Sequence, residues 1–361
     1  CKKYNTSEKL YANTLENYDA YYNTYIFRIG NYIVNSFYVS SLSDKYTEKG
    51  NLKKVIDTFC EIIFNPLVKE NAFDKDTFNM VIDRRKASMK RIKEENSLYS
   101  EYMLYQQFNP NKSYSYIDKI EYLDEITKEN LYYEYKKMLN ESEVSLIICG
   151  DIDDDYIEKT ILSNIKHTKK YNIKTLINND DEKLNYENRV IDGYGTQNIL
   201  NVVMYLRNID DYELHYVIPL YRIILGGGIS SRLFNIIREE NSLAYYSFAR
   251  LEKDDRMLMT IMGIEKQNYD KALKLTLEII DGMKKISKEE LEDAKKQIIT
   301  SLLETNDAIN SVISRTETSI VYNLPESAEF IKKLNSITVN DVINVAKKIK
   351  PDFSFFVKAA K

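Results

Sequence analysis

Two widely separated segments of the chain match without a gap: LDEITKENLYYEYKKM from Leu123 and LNSITVNDVINVAKKI from Leu334. Leu123 pairs with Leu334, Ile126 with Ile337, Thr127 with Thr338, and Lys136-Lys137 with Lys347-Lys348. Each copy runs into a β-rich stretch, SLIICG in the first half and SFFVKA at the end. The spacing is far longer than the roughly 20–50 residues of a solenoid unit, so it marks a duplicated domain. A chain of 361 residues has room for two domains of about 100–200 residues each. Its 43% hydrophobic and 29% charged residues are a globular balance, which excludes global disorder.

Within each half, hairpins alternate with groups of helices. Tyr22 to Leu42 reads as two strands around the turn pair Gly30-Asn31. Val55, Ile56, Phe59, Ile62 and Ile63 then recur at helical spacing until Asn65-Pro66. Asp74 to Glu95 and Tyr99 to Phe108 read as helices, Thr127 as the N-cap of another, and Val144 to Cys149 as a short buried strand. In the second half the pattern predicts a strand over Ile199 to Leu206 and a helix over Tyr212 to Leu225. Ser230 or Ser231 then caps the next helix, Leu243 to Leu251 pairs with Met257 to Ile264, and helices follow from Tyr269 to Tyr322. Such grouping predicts an α+β fold of two homologous domains, each an antiparallel sheet covered by helices on one side. A Lys-, Asn- and Asp-rich interval predicts a linker over 163–188 between domains at 1–162 and 189–361. The first copy is shorter ahead of its hairpin and is expected to lack its N-terminal part.

Charge narrows the partners. The 51 Lys and Arg against 55 Asp and Glu give a formal charge of −4 and a pI near 5.6, which argues against nucleic acid. The basic run Arg84 to Lys93 ends in Glu94-Glu95 and reads as the solvated face of a helix. No apolar run approaches the ~18 residues of a membrane span, so no membrane partner is expected. Cys1, Cys60 and Cys149 have neither ligand nor disulfide spacing, which points to a reducing cytoplasm. No signal-like segment opens the sequence, and Cys1-Lys2-Lys3-Tyr4 leads directly into structured sequence, as expected of a truncated start rather than a lipoprotein.

The candidates for chemistry are few. His167 and His215 are the only histidines, and neither has a second His or a Cys at ligand spacing, so a two-His zinc site on one helix cannot form. Both read as solvated or core histidines. No G-x-S-x-G elbow occurs, and Gly226-Gly227-Gly228 lacks the G-x-x-x-x-G-K-[ST] frame of a phosphate loop. The specialised segment is LGGGISSRLFNIIREENSLAYYSFAR, Leu225 to Arg250. Arg238 and Tyr245 supply a guanidinium and a phenol O–H, two donors that would stabilise an oxyanion developing at a peptide carbonyl. The alternative is local: Arg238 pairs with Glu239 or Glu240 near a helix end while Tyr245 fills core.

This segment resembles the second domain of the pitrilysin/insulinase metallopeptidases, the inverzincins, in its Gly-rich turn, S-x-L-F helix and R-E-x-x-x-L-A-Y run. The resemblance implies a LuxS/mitochondrial processing peptidase-like metallohydrolase fold. It also implies that Arg238 and Tyr245 face zinc across a closed chamber and contact the substrate backbone. Gly226 to Gly228 would then be a mobile loop similar to that of the non-catalytic subunit of mitochondrial processing peptidase; read alone, they are a helix stop.

The family's zinc motif, H-x-x-E-H, is absent. LYANTLENYDAYYN from Leu10 is closer to the pattern of members that have lost zinc, and Lys90 or Arg91 falls where the distal ligand Glu is expected. A cation there would repel zinc, and Glu94 or Glu95 would serve only after a slip of about one helical turn. The resemblance therefore implies a non-catalytic member, most like the bacterial branch associated with elongation factor P modification. Such a chain would hold no metal, bind peptide through Gly226, Gly227, Gly228, Arg238 and Tyr245, and partner a zinc-bearing subunit or a second copy of itself. The alternatives are a complete zinc endopeptidase whose zinc segment lies upstream of this sequence, and a scaffold without peptide chemistry.

Overall fold

A computed structural model describes residues 1–30, 32–108, 120–151, 159, 187–306 and 308–360. The chain divides into two compact units, Cys1–Ser88 with Asp118–Lys174, and Met89–Ile117 with Thr175–Lys361. Residues 89–117, which the sequence pattern leaves with the first copy, thus group with the second.

In the first unit, Thr6 accepts a hydrogen bond from the Lys9 N–H at 3.3 Å and starts α1 (Ser7–Glu16). β1 (Tyr21–Ile29) and β2 (Tyr32–Ser40) pair antiparallel from Tyr21↔Ser40 to Ile29↔Tyr32. Gly30 takes φ 58°, the left-handed backbone that a two-residue hairpin turn requires. α2 (Asn51–Phe64) buries Val55, Ile56 and Ile63. Gly50 has no side chain to cap it, so the Asp44 carboxylate accepts from the Gly50 and Leu52 N–H groups at 2.8 and 2.7 Å instead. A two-residue ladder of β3 (Val68–Lys69) with β4 (Ala72–Phe73) leads into α3 (Lys75–Arg91), which buries only Met89. The basic run is therefore a solvated face. After α4 (Asn96–Phe108), which belongs to the second unit, come α5 (Ile120–Asp124) and α6 (Lys128–Glu141).

The strand expected at Val144 to Cys149 does not form, and Val144, Leu146 and Ile148 are 49, 46 and 43% exposed. An apolar run becomes a strand only beside a neighbour that accepts its ladder bonds, and no strand lies alongside it among the described residues. The first unit shows hairpins and helices there, not the helix-covered sheet expected of it.

The second unit is built on β5 (Glu187–Asp192), β6 (Asn198–Tyr205), β7 (Ala244–Glu252), β8 (Met257–Ile264) and β9 (Phe353–Lys358), in the order β5-β9-β6-β8-β7. Three pairings are antiparallel, but β5 runs parallel to β9, so the sheet is mixed where an antiparallel one was expected. β5 escapes the sequence pattern because it is a polar, half-exposed edge strand that begins at Glu187, inside the expected linker. Residues 163–186 of that linker, with His167, lie outside the described residues.

The helices of this unit are α7 (Ile218–Gly226), the π-helical α8 (Leu233–Glu240), α9 (Tyr269–Gly282), α10 (Lys288–Asn306), α11 (Ile309–Tyr322), α12 (Ser327–Ser336) and α13 (Val339–Lys348). One sheet face, including Leu200, Val202 and Met262, shares a core with Tyr221, Leu225 and Val345. The opposite face is covered too, contrary to expectation: Ile199, Val203, Phe353 and Phe355 pack with Tyr99 and Leu104 of α4. Alternate residues of a strand point to opposite faces, so two covered faces make β6 a continuous apolar run. Each fully buried large side chain contributes about 1.5–3 kcal/mol.

Asn96, at 3% exposure, ties the start of α4 to the sheet. Its Oδ1 accepts from the Tyr194 and Gly195 N–H groups at 3.0 and 2.8 Å, and its Nδ2 donates to the Gln197 and Lys358 carbonyls at 2.7 and 3.1 Å. A Cβ on Gly195 would lie 2.8 Å from the Glu94 carbonyl oxygen, so only glycine fits that approach.

The sequence repeat survives as a shared cap. Thr127 Oγ1 accepts from the Asn130 N–H at 3.1 Å while Asn130 Oδ1 accepts from the Thr127 N–H at 2.9 Å. Thr338 and Asp341 make the same reciprocal pair at 3.4 and 2.8 Å ahead of α13. Only the second copy continues into a strand, β9. No helix among the described residues is long and apolar enough to cross a membrane.

Candidate functional site

α7 ends where three glycines meet the edge strand. A Cβ on Gly226 would lie 2.5 Å from the Ala249 nitrogen, and one on Gly227 would lie 2.5 Å from the Ile223 Cα. Both glycines are therefore needed for packing, and the Gly227 N–H closes the helix on the Ile223 carbonyl at 2.9 Å. Gly228 is open, with Gln297 Oε1 3.8 Å from its hypothetical Cβ. Its carbonyl accepts from the Ser231 N–H and Oγ–H at 3.0 and 2.6 Å. Ser231 Oγ in turn accepts from the Phe234 N–H at 3.4 Å, so Ser231 caps α8.

The π-helical winding of α8 buries Leu233 and Ile237 and leaves Arg238 outside. The Arg238 guanidinium lies 4.8 Å above the Phe234 ring, with Glu239 Oε1 3.7 Å from its Nε. Tyr245 sits in a β-bulge, since Ala244 pairs with Ile264 and Tyr246 with Gly263 while Tyr245 has no opposite residue. It is 59% exposed and donates its O–H to the Glu265 carboxylate. Tyr245 is thus outside the core, contrary to the local alternative, whereas Arg238 does have Glu239 at hand. No hydrogen bond or ring contact joins Arg238 to Tyr245 among the described residues.

Two residues near this surface were not legible in the sequence. Glu265 is twenty positions from Tyr245 and meets it only through the pairing of β7 with β8. Arg232 anchors the start of α8 by a two-pronged contact with Glu290, at 2.6 and 3.0 Å, and by donating to the Gly282 and Lys285 carbonyls. Burial works to raise the Glu290 pKa, but the hydrogen bonds from Arg232 and Ser287 hold it below the ordinary carboxylate value.

The residues do not fit a zinc ion. Lys90 and Arg91 are exposed on the last turn of α3, where the distal carboxylate was expected. Among the described residues, no group of three or more His, Cys, Asp or Glu is placed to hold a metal. His215 is buried in the turn preceding α7, and no carboxylate or thiol ligand set surrounds it.

A helix-backed mixed sheet carrying a glycine-bounded π-helix and a bulged edge strand defines a peptidase-like α+β class. Residues 125–298 match the family described as the Peptidase M16 inactive domain, and that stretch contains Gly226, Gly227, Gly228, Arg238 and Tyr245. The chain is an M16 inactive-domain homologue. It is 26% identical over 318 residues to a Bacillus subtilis protein named a probable inactive metalloprotease, YmfF, covering 86% of this chain and 74% of that one. Its fold is similar to a conserved protein from Enterococcus faecalis, with TM-score 0.88, 21% identity, and 99% and 86% of the two chains covered. It is also similar to an M16 inactive domain from Pseudomonas fluorescens, with TM-score 0.74, 16% identity and coverage of 97% and 83%.

Proposed function

We propose that the chain is a non-catalytic, peptide-binding M16 subunit, akin to the bacterial members that have lost zinc. It completes a chamber whose zinc is carried by a second, zinc-bearing M16 subunit. The observation that carries this reading is the exposure of two hydrogen-bond donors, Arg238 and Tyr245, within the stretch that matches the inactive domain. The Glu265 carboxylate holds the Tyr245 hydroxyl in one orientation, and the bulge turns it away from the core. A guanidinium and a phenol so placed bind a peptide carbonyl and stabilise negative charge developing on it. Lys90 and Arg91 favour leaving the metal to the partner. The glycines shape the loop that carries α8, which assigns Gly226 and Gly227 a structural part and leaves Gly228 open to a ligand.

The test is reconstitution with a zinc-bearing M16 subunit and a quenched fluorescent peptide. The pair is expected to hydrolyse the peptide. Arg238→Ala or Tyr245→Phe is expected to lower turnover by about 10²–10³, the cost of one oxyanion donor, with association unchanged. Equal turnover in both variants would leave only a scaffold.

A further inference from the structure

A cleft of about 730 Å³ opens in the second unit among α7, β7 and α10, away from Arg238 and Tyr245, neither of which lines it. That volume is the size of a small-molecule site. Its walls are largely apolar, with Ile223, Phe248, Leu251, Ile298 and Phe330. Its charged groups are all cationic: Arg222, Arg250 and Lys253 line it, and no acidic residue does among the described residues. Arg250 is already committed to Glu101 at 2.9 Å and to Glu252. Arg222 and Lys253 are not so matched. Burial pushes the pKa of each down, the charge of Arg222 pushes Lys253 further, and Asp254, next in the chain, acts back on Lys253 alone. Two half-buried cations that repel one another in an apolar setting are stabilised by an anion between them.

A third group points to a ligand. His215 lines the same cleft, is 6% exposed, and its Nδ1 is buried without a hydrogen-bond partner. Such orphaned buried nitrogens are rare in folded proteins, and a ligand oxygen would satisfy this one.

We propose that this cleft binds an organic carboxylate with an apolar body, its head between Arg222 and Lys253 and its body along Ile223, Leu251 and Phe330. Apolar walls with few polar groups suit such an amphipathic acid better than a bare inorganic anion. The same chemistry is offered by a free aliphatic acid and by the C-terminal carboxylate of a peptide. The site is independent of the peptide-chamber reading, because it uses neither Arg238 nor Tyr245.

Isothermal titration of the whole chain with hexanoate, with hexanol, and with a short peptide ending in leucine as free acid or amide tests it. Saturable binding is expected for hexanoate or the free-acid peptide, and the one that binds names the source. Hexanol and the amide are expected to bind at least about tenfold more weakly, and Arg222→Gln and Lys253→Gln to weaken the acid by about tenfold or more. Equal binding of acid and alcohol, equal binding of free acid and amide, unchanged affinity in both variants, or no binding of either acid would overturn the proposal. The ligand comparisons use the unaltered chain, so they decide the matter even if a variant fails to fold.

Discussion

His215 is the residue whose protonation folding most opposes. Burial, then the charges of Lys253 and Arg256, lower its pKa to about 4, with Asp211 acting in the opposite sense. Unfolded, the same imidazole titrates near 6.5. Between those values the unfolded chain binds a proton that the folded chain does not, so stability is full above about 6.5 and is lost as pH falls through the window. The loss amounts to about 3 kcal/mol by pH 4. Urea unfolding at a series of pH values is expected to show a shallower acid loss in His215→Phe than in the parent, and parallel profiles would refute the assignment. Asn96→Ala is expected to cost about 2–4 kcal/mol in the same assay, since it strips buried backbone groups of their partners; a midpoint within error of the parent would remove its role. Neither role was legible beforehand. His215 was correctly open to a core reading, but its orphaned nitrogen depends on neighbours from β7 and α11, and Asn96 meets groups about a hundred positions and more away.

Elements with a local signal were read correctly. The β1–β2 hairpin follows its turn pair, and α2, α6 and α13 follow their apolar spacing and caps. Thr338→Ala is expected to destabilise the second unit by about 1 kcal/mol while Thr338→Ser retains most of the cap. The comparison is read from urea midpoints, and an Ala variant as stable as the Ser variant would mean that the reciprocal pair contributes nothing. Elements whose state depends on a neighbour were misread. Val144 to Cys149 has a strand's composition without a partner, and β5 has a partner, β9, without a strand's composition. The bulge at Tyr245 is another such case: AYYSFA alternates too weakly to reveal an extra residue, yet that residue turns the phenol towards Glu265.

At the scale of the whole molecule, the duplication was legible because its caps are local, whereas the grouping of residues 89–117 with the second unit is a matter of long-range packing. The site was legible only in part. The spacing of Arg238 and Tyr245 identified the pair, but their exposure and their engagement with Phe234 and Glu265 required the fold. The central claim is that this chain holds peptides through those two donors and does not cut them. The direct measurement incubates the chain with a mixed-sequence peptide pool, with and without one added equivalent of zinc, and reads retained and cleaved species by mass spectrometry. Intact peptides are expected to be retained, with no zinc-dependent products and with retention about tenfold weaker in Arg238→Ala. Zinc-dependent cleavage, or retention unchanged in both Arg238→Ala and Tyr245→Phe, would contradict it.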